Sequence, residues 1–165
     1  MNRPHIRSAC TVIRSMKPSA QRILLVVLSF FGLVTGVWAY FFPRHWYDTF
    51  PGMGLSWLPQ LGPFNEHFAT DTGAMFLGLA TLSIAAFIRS TNTTLVRVTG
   101  SAWTVFNLLH WIFHMRMLHM YEPRDQILNA ITLTAILIVS ALLLLPTRRA
   151  TQAATKTVSK AGTGT

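Results

Sequence analysis

The run ILLVVLSFFGLVTGVWAYFF fills residues 23–42 without a single charged side chain. Twenty such residues, rising 1.5 Å each, cover roughly the 30 Å of hydrocarbon in a bilayer. Backbone groups in lipid find no water to bond, so a run of this length is a helix. Three further apolar blocks follow, over about residues 66–88, 96–116 and 127–145. The pattern predicts an all-α protein, an integral membrane antiparallel four-helix bundle within residues 22–146. A basic arm (1–21) precedes it, and a solvated, disordered tail (147–165) rich in Thr, Ala, Lys and Gly follows.

Composition agrees with that reading. Of 165 residues, 51% are apolar and 12% charged, where soluble domains carry roughly 25% charged residues. A disordered chain is excluded, and a soluble globular domain is poorly supplied with surface charge. The single Cys10 excludes an intrachain disulfide framework and a four-Cys zinc site. No nucleotide-binding glycine motif and no nucleophile elbow is present.

The basic residues set an orientation. Arg3, Arg7, Arg14, Lys17 and Arg22 precede the first block, Arg89 and Arg97 lie between the second and third, and Arg148, Arg149, Lys156 and Lys160 follow the fourth. Only Arg44, Arg116 and Arg124 fall on the other side. The positive-inside rule then predicts a multi-pass plasma-membrane protein with both termini cytoplasmic. All five acids, Asp48, Glu66, Asp71, Glu122 and Asp125, fall on the outer side or in the outer half of the second span. The net charge of +9 is read as topology and attraction to anionic lipid headgroups, not as nucleic-acid binding. A cleaved signal peptide ending at Val37-Trp38-Ala39 is the alternative for the first block. The run continues to Phe42, however, and Gly32 and Gly36 form a small-xxx-small pair that lets another helix approach closely. A retained anchor is expected.

The one long connection, 43–65, holds four prolines, three glycines and five large aromatics. Proline and glycine at that density exclude a continuous helix. An aromatic-rich segment lying on the outer leaflet, or a lid over an outer pocket, is expected.

The candidate site lies at the outer ends. His67 and Asp71 are four apart, as are His110 and His114, so each pair shares a helix face. If the second helix starts near Asn65 and the third ends near Arg116, Asp71 and His110 are each about 9 Å deep. Facing one another, the pairs would offer three imidazoles and a carboxylate to a zinc, copper or iron ion. Glu66 would be a further ligand or a supporting partner, and Asn107, one turn inside His110, would orient it. A transition-metal carrier, accessory or redox protein is the leading expectation. A haem clamped by histidines of different spans is a further cofactor alternative. The rival is a structural or accessory subunit of a larger membrane complex, whose polar pairs only set helix packing, with Asp71 and His110 bonded to each other. A third is a membrane enzyme on a lipid-like substrate, with Glu66, Asp71 and His110 as acid–base groups. A homodimer is compatible with each. Met115, Met117 and Met120 and the small residues Gly73, Ala74, Gly78, Ala80 and Ser83 are expected to serve packing.

The stretch Gly62-Pro63-Phe64-Asn65-Glu66-His67, followed by Asp71 and Gly73 and later by His110-x-x-x-His114, resembles the DoxX-like group of small four-helix membrane proteins. That group includes several actinobacterial families without an assigned activity. Related sequences carry the Asn-Glu-His-x-x-x-Asp start and a later pair of histidines, and the likeness covers about Pro43 to His119. Leu109 stands where the relatives carry proline, so the third helix is expected to be less kinked. The resemblance implies a four-helix integral membrane protein, with quinone or thiol oxidation in some members. A lone cysteine argues against a thiol relay within this chain.

Overall fold

The computed structural model describes residues 16–147. Cys10, most of the basic arm and the tail beyond Thr147 lie outside the described residues. The described part of the arm is helical from Pro18. Helix α1 runs Pro18–Phe41, with proline in its first turn, where the missing N–H is no loss. It stops at Phe42 because Pro43 cannot continue it. A short α2 (Pro43–Thr49) follows. Two-residue strands β1 (Pro51–Gly52) and β2 (Leu55–Ser56) then pair antiparallel, turning through Met53 and Gly54 with φ of 57° and 79°. A 3-10 turn, Leu58–Leu61, leads to α3 (Glu66–Ile88), capped by Asn65, whose side chain accepts from the Phe68 amide at 3.2 Å. Asn92 caps α4 (Thr93–Arg116) in the same way, and α5 (Pro123–Leu142) starts at a proline.

Three of these helices, α1, α3 and α5, are long and apolar enough to cross a membrane. Helix α4 is equally long at 24 residues, but it carries Arg97, Asn107, His110 and His114 among its apolar residues. Its exterior remains greasy: Val105 (59%), Leu109 (62%) and Phe113 (51%) are exposed. Exposed Phe30, Ile84 and Ile131 continue that apolar exterior on the other helices. A surface of this kind suits a lipid solvent, since water-soluble monomers rarely show apolar patches beyond a few hundred Å².

The closest packing is between α1 and α3. A β-carbon at Gly36 would stand 2.9 Å from the Leu77 amide nitrogen and 3.1 Å from the Gly73 carbonyl oxygen, and one at Gly32 would stand 3.0 Å from the Ala80 β-carbon. In return a β-carbon at Gly73 would collide with the Tyr40 backbone. The Gly32/Gly36 pair therefore serves a helix of the same chain, and the two backbones touch as small-xxx-small packing allows. The small residues of α3 divide between two faces. Gly73, Ala80 and Ser83 are buried, while Ala74 and Gly78 face outward.

Helix α4 joins this pair to α5. Trp103, fully buried, packs at 6.1 Å from Phe76 and 6.3 Å from Phe31, and donates its indole N–H to Ser83 Oγ at 2.8 Å. Toward α5, Trp111 donates to Thr134 Oγ1 at 2.9 Å and Asn107 to Ser140 Oγ at 3.3 Å. At the opposite end from the long loop, Gln21 donates to the Ser90 carbonyl and the Met16 amide to the Pro146 carbonyl. The start of α1, the α3–α4 turn and the segment after α5 thus share one end of the bundle.

Candidate functional site

The loop end is built from α2, the β-turn and the 3-10 turn. Trp46, Phe50 and Trp57 pack in sequence (ring centroids 5.7 and 6.5 Å apart), and Trp46 and Phe50 cluster with buried Ala39 and Ala69. The Tyr47 hydroxyl donates to the Gly62 carbonyl. Trp57 reaches Tyr121 in the α4–α5 turn, at 6.4 Å. The aromatic segment is therefore a folded cover joining α1, α3 and the far turn.

The expected site residues fall into two separate pairs. His67 Nε2 lies 3.3 Å from Asp71 Oδ2, but both side chains are well exposed (78% and 65%) on the exterior of α3. At about 100° per residue, Phe76 stands half a turn around the helix from His67, and Ala80 half a turn from Asp71. Phe76 and Ala80 face the core, so His67 and Asp71 face away from it. Asp71 does not pair with His110. His110 instead stacks on Phe106 (5.3 Å, 17°) and meets His114 edge-on at 4.3 Å. Asn107 is occupied with Ser140 and does not orient His110. Among the described residues, no three His, Cys, Asp or Glu side chains are grouped to hold a metal ion.

The second pair extends into a buried network that sequence reasoning missed. His114 Nδ1 lies 3.4 Å from the Tyr121 hydroxyl, and Asn129 in α5 also hydrogen-bonds that phenol. Tyr121 and Asn129 are buried at 4% and 1% exposure, and Gln126 holds the Tyr121 carbonyl at 2.8 Å. Burial pushes the Tyr121 phenol up to about 12, opposed by the Asn129 hydrogen bond and helped by the Asp125 charge. Asn129 Oδ1 is buried without a hydrogen-bond partner. A polar residue inside an apolar block, Asn129 between Leu128 and Ala130, was the available signal.

Glu66 belongs to a third place. It lines an open cleft of about 310 Å³ with Phe42, Pro43, Arg44, His45 and Phe64. Arg44 lies over the Phe64 ring at 5.1 Å and ion-pairs with Asp48 through Nε at 2.8 Å. His45 Nδ1 accepts the Trp38 indole N–H at 2.8 Å. His119, the last of the outer histidines, is exposed in the α4–α5 turn.

No family model, no curated protein and no solved structure matches this chain.

Proposed function

We propose that this protein is a structural or accessory subunit of the plasma membrane, with four antiparallel spans and cytoplasmic termini, that docks another membrane helix against the exterior of α3. The observation that carries this reading is the outward His67–Asp71 pair. Ionisable groups on a spanning helix are costly facing lipid and ordinarily find protein partners. The pair continues into a narrow face of Ala74, Gly78 and Thr81, all exposed and recurring every three or four residues. A β-carbon at Gly78 would meet nothing within 4 Å. Inside the bundle, Trp103–Ser83, Asn107–Ser140 and Trp111–Thr134 bond across helices, which suits a role in setting helix register. The end shared by the start of α1, the α3–α4 turn and the segment after α5 carries Arg22, Arg89 and Arg97, which supports a cytoplasmic placement of that end.

The test is the assembly state of the full chain extracted gently into nanodiscs. The wild type is expected to run as an assembly larger than one chain, with a second copy or another membrane protein. Gly78→Leu and Asp71→Leu are expected to reduce it to the single chain while helix content is unchanged. A wild type that is already a lone chain in native lipid defeats the reading.

A second reading, a transition-metal site, is favoured by the His110–His114 pair, whose rings meet at 4.3 Å. Two imidazoles leave further ligand positions to be filled from outside this pair. Elemental analysis of untagged protein checks it: near-stoichiometric zinc, copper or iron, lost in His110→Ala, is the expected result. A metal content unchanged by that variant removes it.

A further inference from the structure

The cleft at Glu66 is distinct from the docking face and from the buried histidine network, and its chemistry is two-sided. Arg44 has five N–H donors. Its Nε is used by Asp48 at 2.8 Å, and no protein acceptor takes the others among the described residues. The guanidinium is held in place by the Phe64 and Tyr47 rings, at 5.1 and 5.9 Å. An indole N–H can only donate, so the His45 Nδ1 that accepts it from Trp38 carries no proton. The neutral His45 ring must then carry its hydrogen on Nε2, as a second donor. Glu66 contributes a carboxylate with no ion-pair or side-chain hydrogen-bond partner among the described residues. Phe42, 61% exposed beside the equally exposed Phe41, forms the apolar rim. One cleft thus offers donors for an anion, a free carboxylate for a cation, and an apolar exit toward lipid.

From this arrangement we infer that the cleft binds a phosphate–ammonium zwitterion, the phosphoethanolamine group, as the headgroup of a membrane phospholipid. The phosphodiester takes the Arg44 terminal N–H groups and His45 Nε2–H, and the ammonium takes Glu66. The glycerol and acyl carbons leave over Phe42 and Phe41. A volume of about 310 Å³ is at the small end of ligand pockets and admits a headgroup without its chains. Phosphatidylglycerol, with the same phosphodiester and no ammonium, would leave Glu66 facing an uncharged hydroxyl. The inference needs the loop end to lie at a bilayer surface and does not depend on α3 docking a partner.

Delipidated full-length protein in detergent is titrated with short-chain phosphatidylethanolamine, short-chain phosphatidylglycerol and free O-phosphoethanolamine, with retention read by native mass spectrometry. The expected preference for phosphatidylethanolamine over phosphatidylglycerol is roughly tenfold, the ratio one charge-assisted hydrogen bond supplies. Glu66→Gln should erase it and Glu66→Lys reverse it, with circular dichroism confirming that both variants are folded. Equal retention of the two lipids by the wild type, or a preference that survives Glu66→Gln, overturns the inference. Free O-phosphoethanolamine binding as tightly as the lipid overturns the headgroup assignment and leaves a soluble zwitterion as the ligand. Failure here leaves the assembly state untouched, so the two readings fall separately.

Discussion

Replacing three glycines one at a time by alanine separates the packed face of α3 and its partner from the open face. In a helix interior alanine is favoured over glycine by about 1 kcal/mol. At Gly78 the added β-carbon meets nothing within 4 Å, so Gly78→Ala should gain most of that amount. At Gly36 the β-carbon would stand 2.9 Å from both the Leu77 amide nitrogen and Cγ. Overpacking of this kind costs about 1–3 kcal/mol, which leaves Gly36→Ala destabilised by about 0–2 kcal/mol. At Gly73 the obstacle is the Tyr40 backbone and Cβ, which no change of rotamer moves aside. Gly73→Ala therefore sits at the upper end of that range and should lose about 2 kcal/mol. The gap between Gly78→Ala and Gly73→Ala is therefore about 3 kcal/mol. Reversible unfolding in mixed micelles by SDS titration, followed by far-ultraviolet circular dichroism, measures it in protein kept monomeric. Gly73→Ala as stable as the wild type, or Gly78→Ala as damaged as Gly73→Ala, would refute the α1–α3 contact on which the orientation of α3 rests.

Ser83→Ala strips the acceptor from the buried Trp103 indole and should cost about 1–2 kcal/mol in the same assay. Thr134→Val removes the acceptor of the half-buried Trp111 bond with little change in size and should cost about 0.5–1 kcal/mol. Tyr121 should give a tyrosinate absorbance step near pH 12, absent in Tyr121→Phe. Because the fold favours its neutral form, stability should be level below the unfolded tyrosine value near 10 and fall as pH rises toward about 12. The loss is about 2–3 kcal/mol in all, read from unfolding midpoints across that window. A Tyr121→Phe variant with the same alkaline decline would remove Tyr121 as its cause.

The two pairs of polar residues at spacing four show how far pattern reading reaches. Spacing places His67 with Asp71, and His110 with His114, and both pairs share helix faces as expected. Whether the two faces meet depends on how each helix is turned about its axis. The same angular arithmetic that pairs His67 with Asp71 puts Phe76 and Ala80 opposite them. The choice of inner face then turns on which stripe is better for packing. Gly73, Phe76, Ala80 and Ser83 win that competition because Gly32 and Gly36 give α3 a groove to enter, and because Trp103 needs Ser83. Glu66 shows the same limit at a loop. Its neighbours Arg44 and His45 lie about twenty residues away in a segment whose prolines and glycines give no regular period to read.

Hydropathy by itself determined that the described residues are mostly helical, roughly where the long helices lie, and that most of these are apolar enough to cross a membrane. A bilayer allows few ways to satisfy a backbone, so a long apolar run carries its own structure. The tertiary structure alone decided which face of α3 is buried, that His110 and His114 join Tyr121 and Asn129, and that Glu66 opens onto Arg44 and His45. Those outcomes depend on contacts between residues far apart in sequence, and close packing of glycine against backbone selects one rotation of each helix from several that the pattern permits.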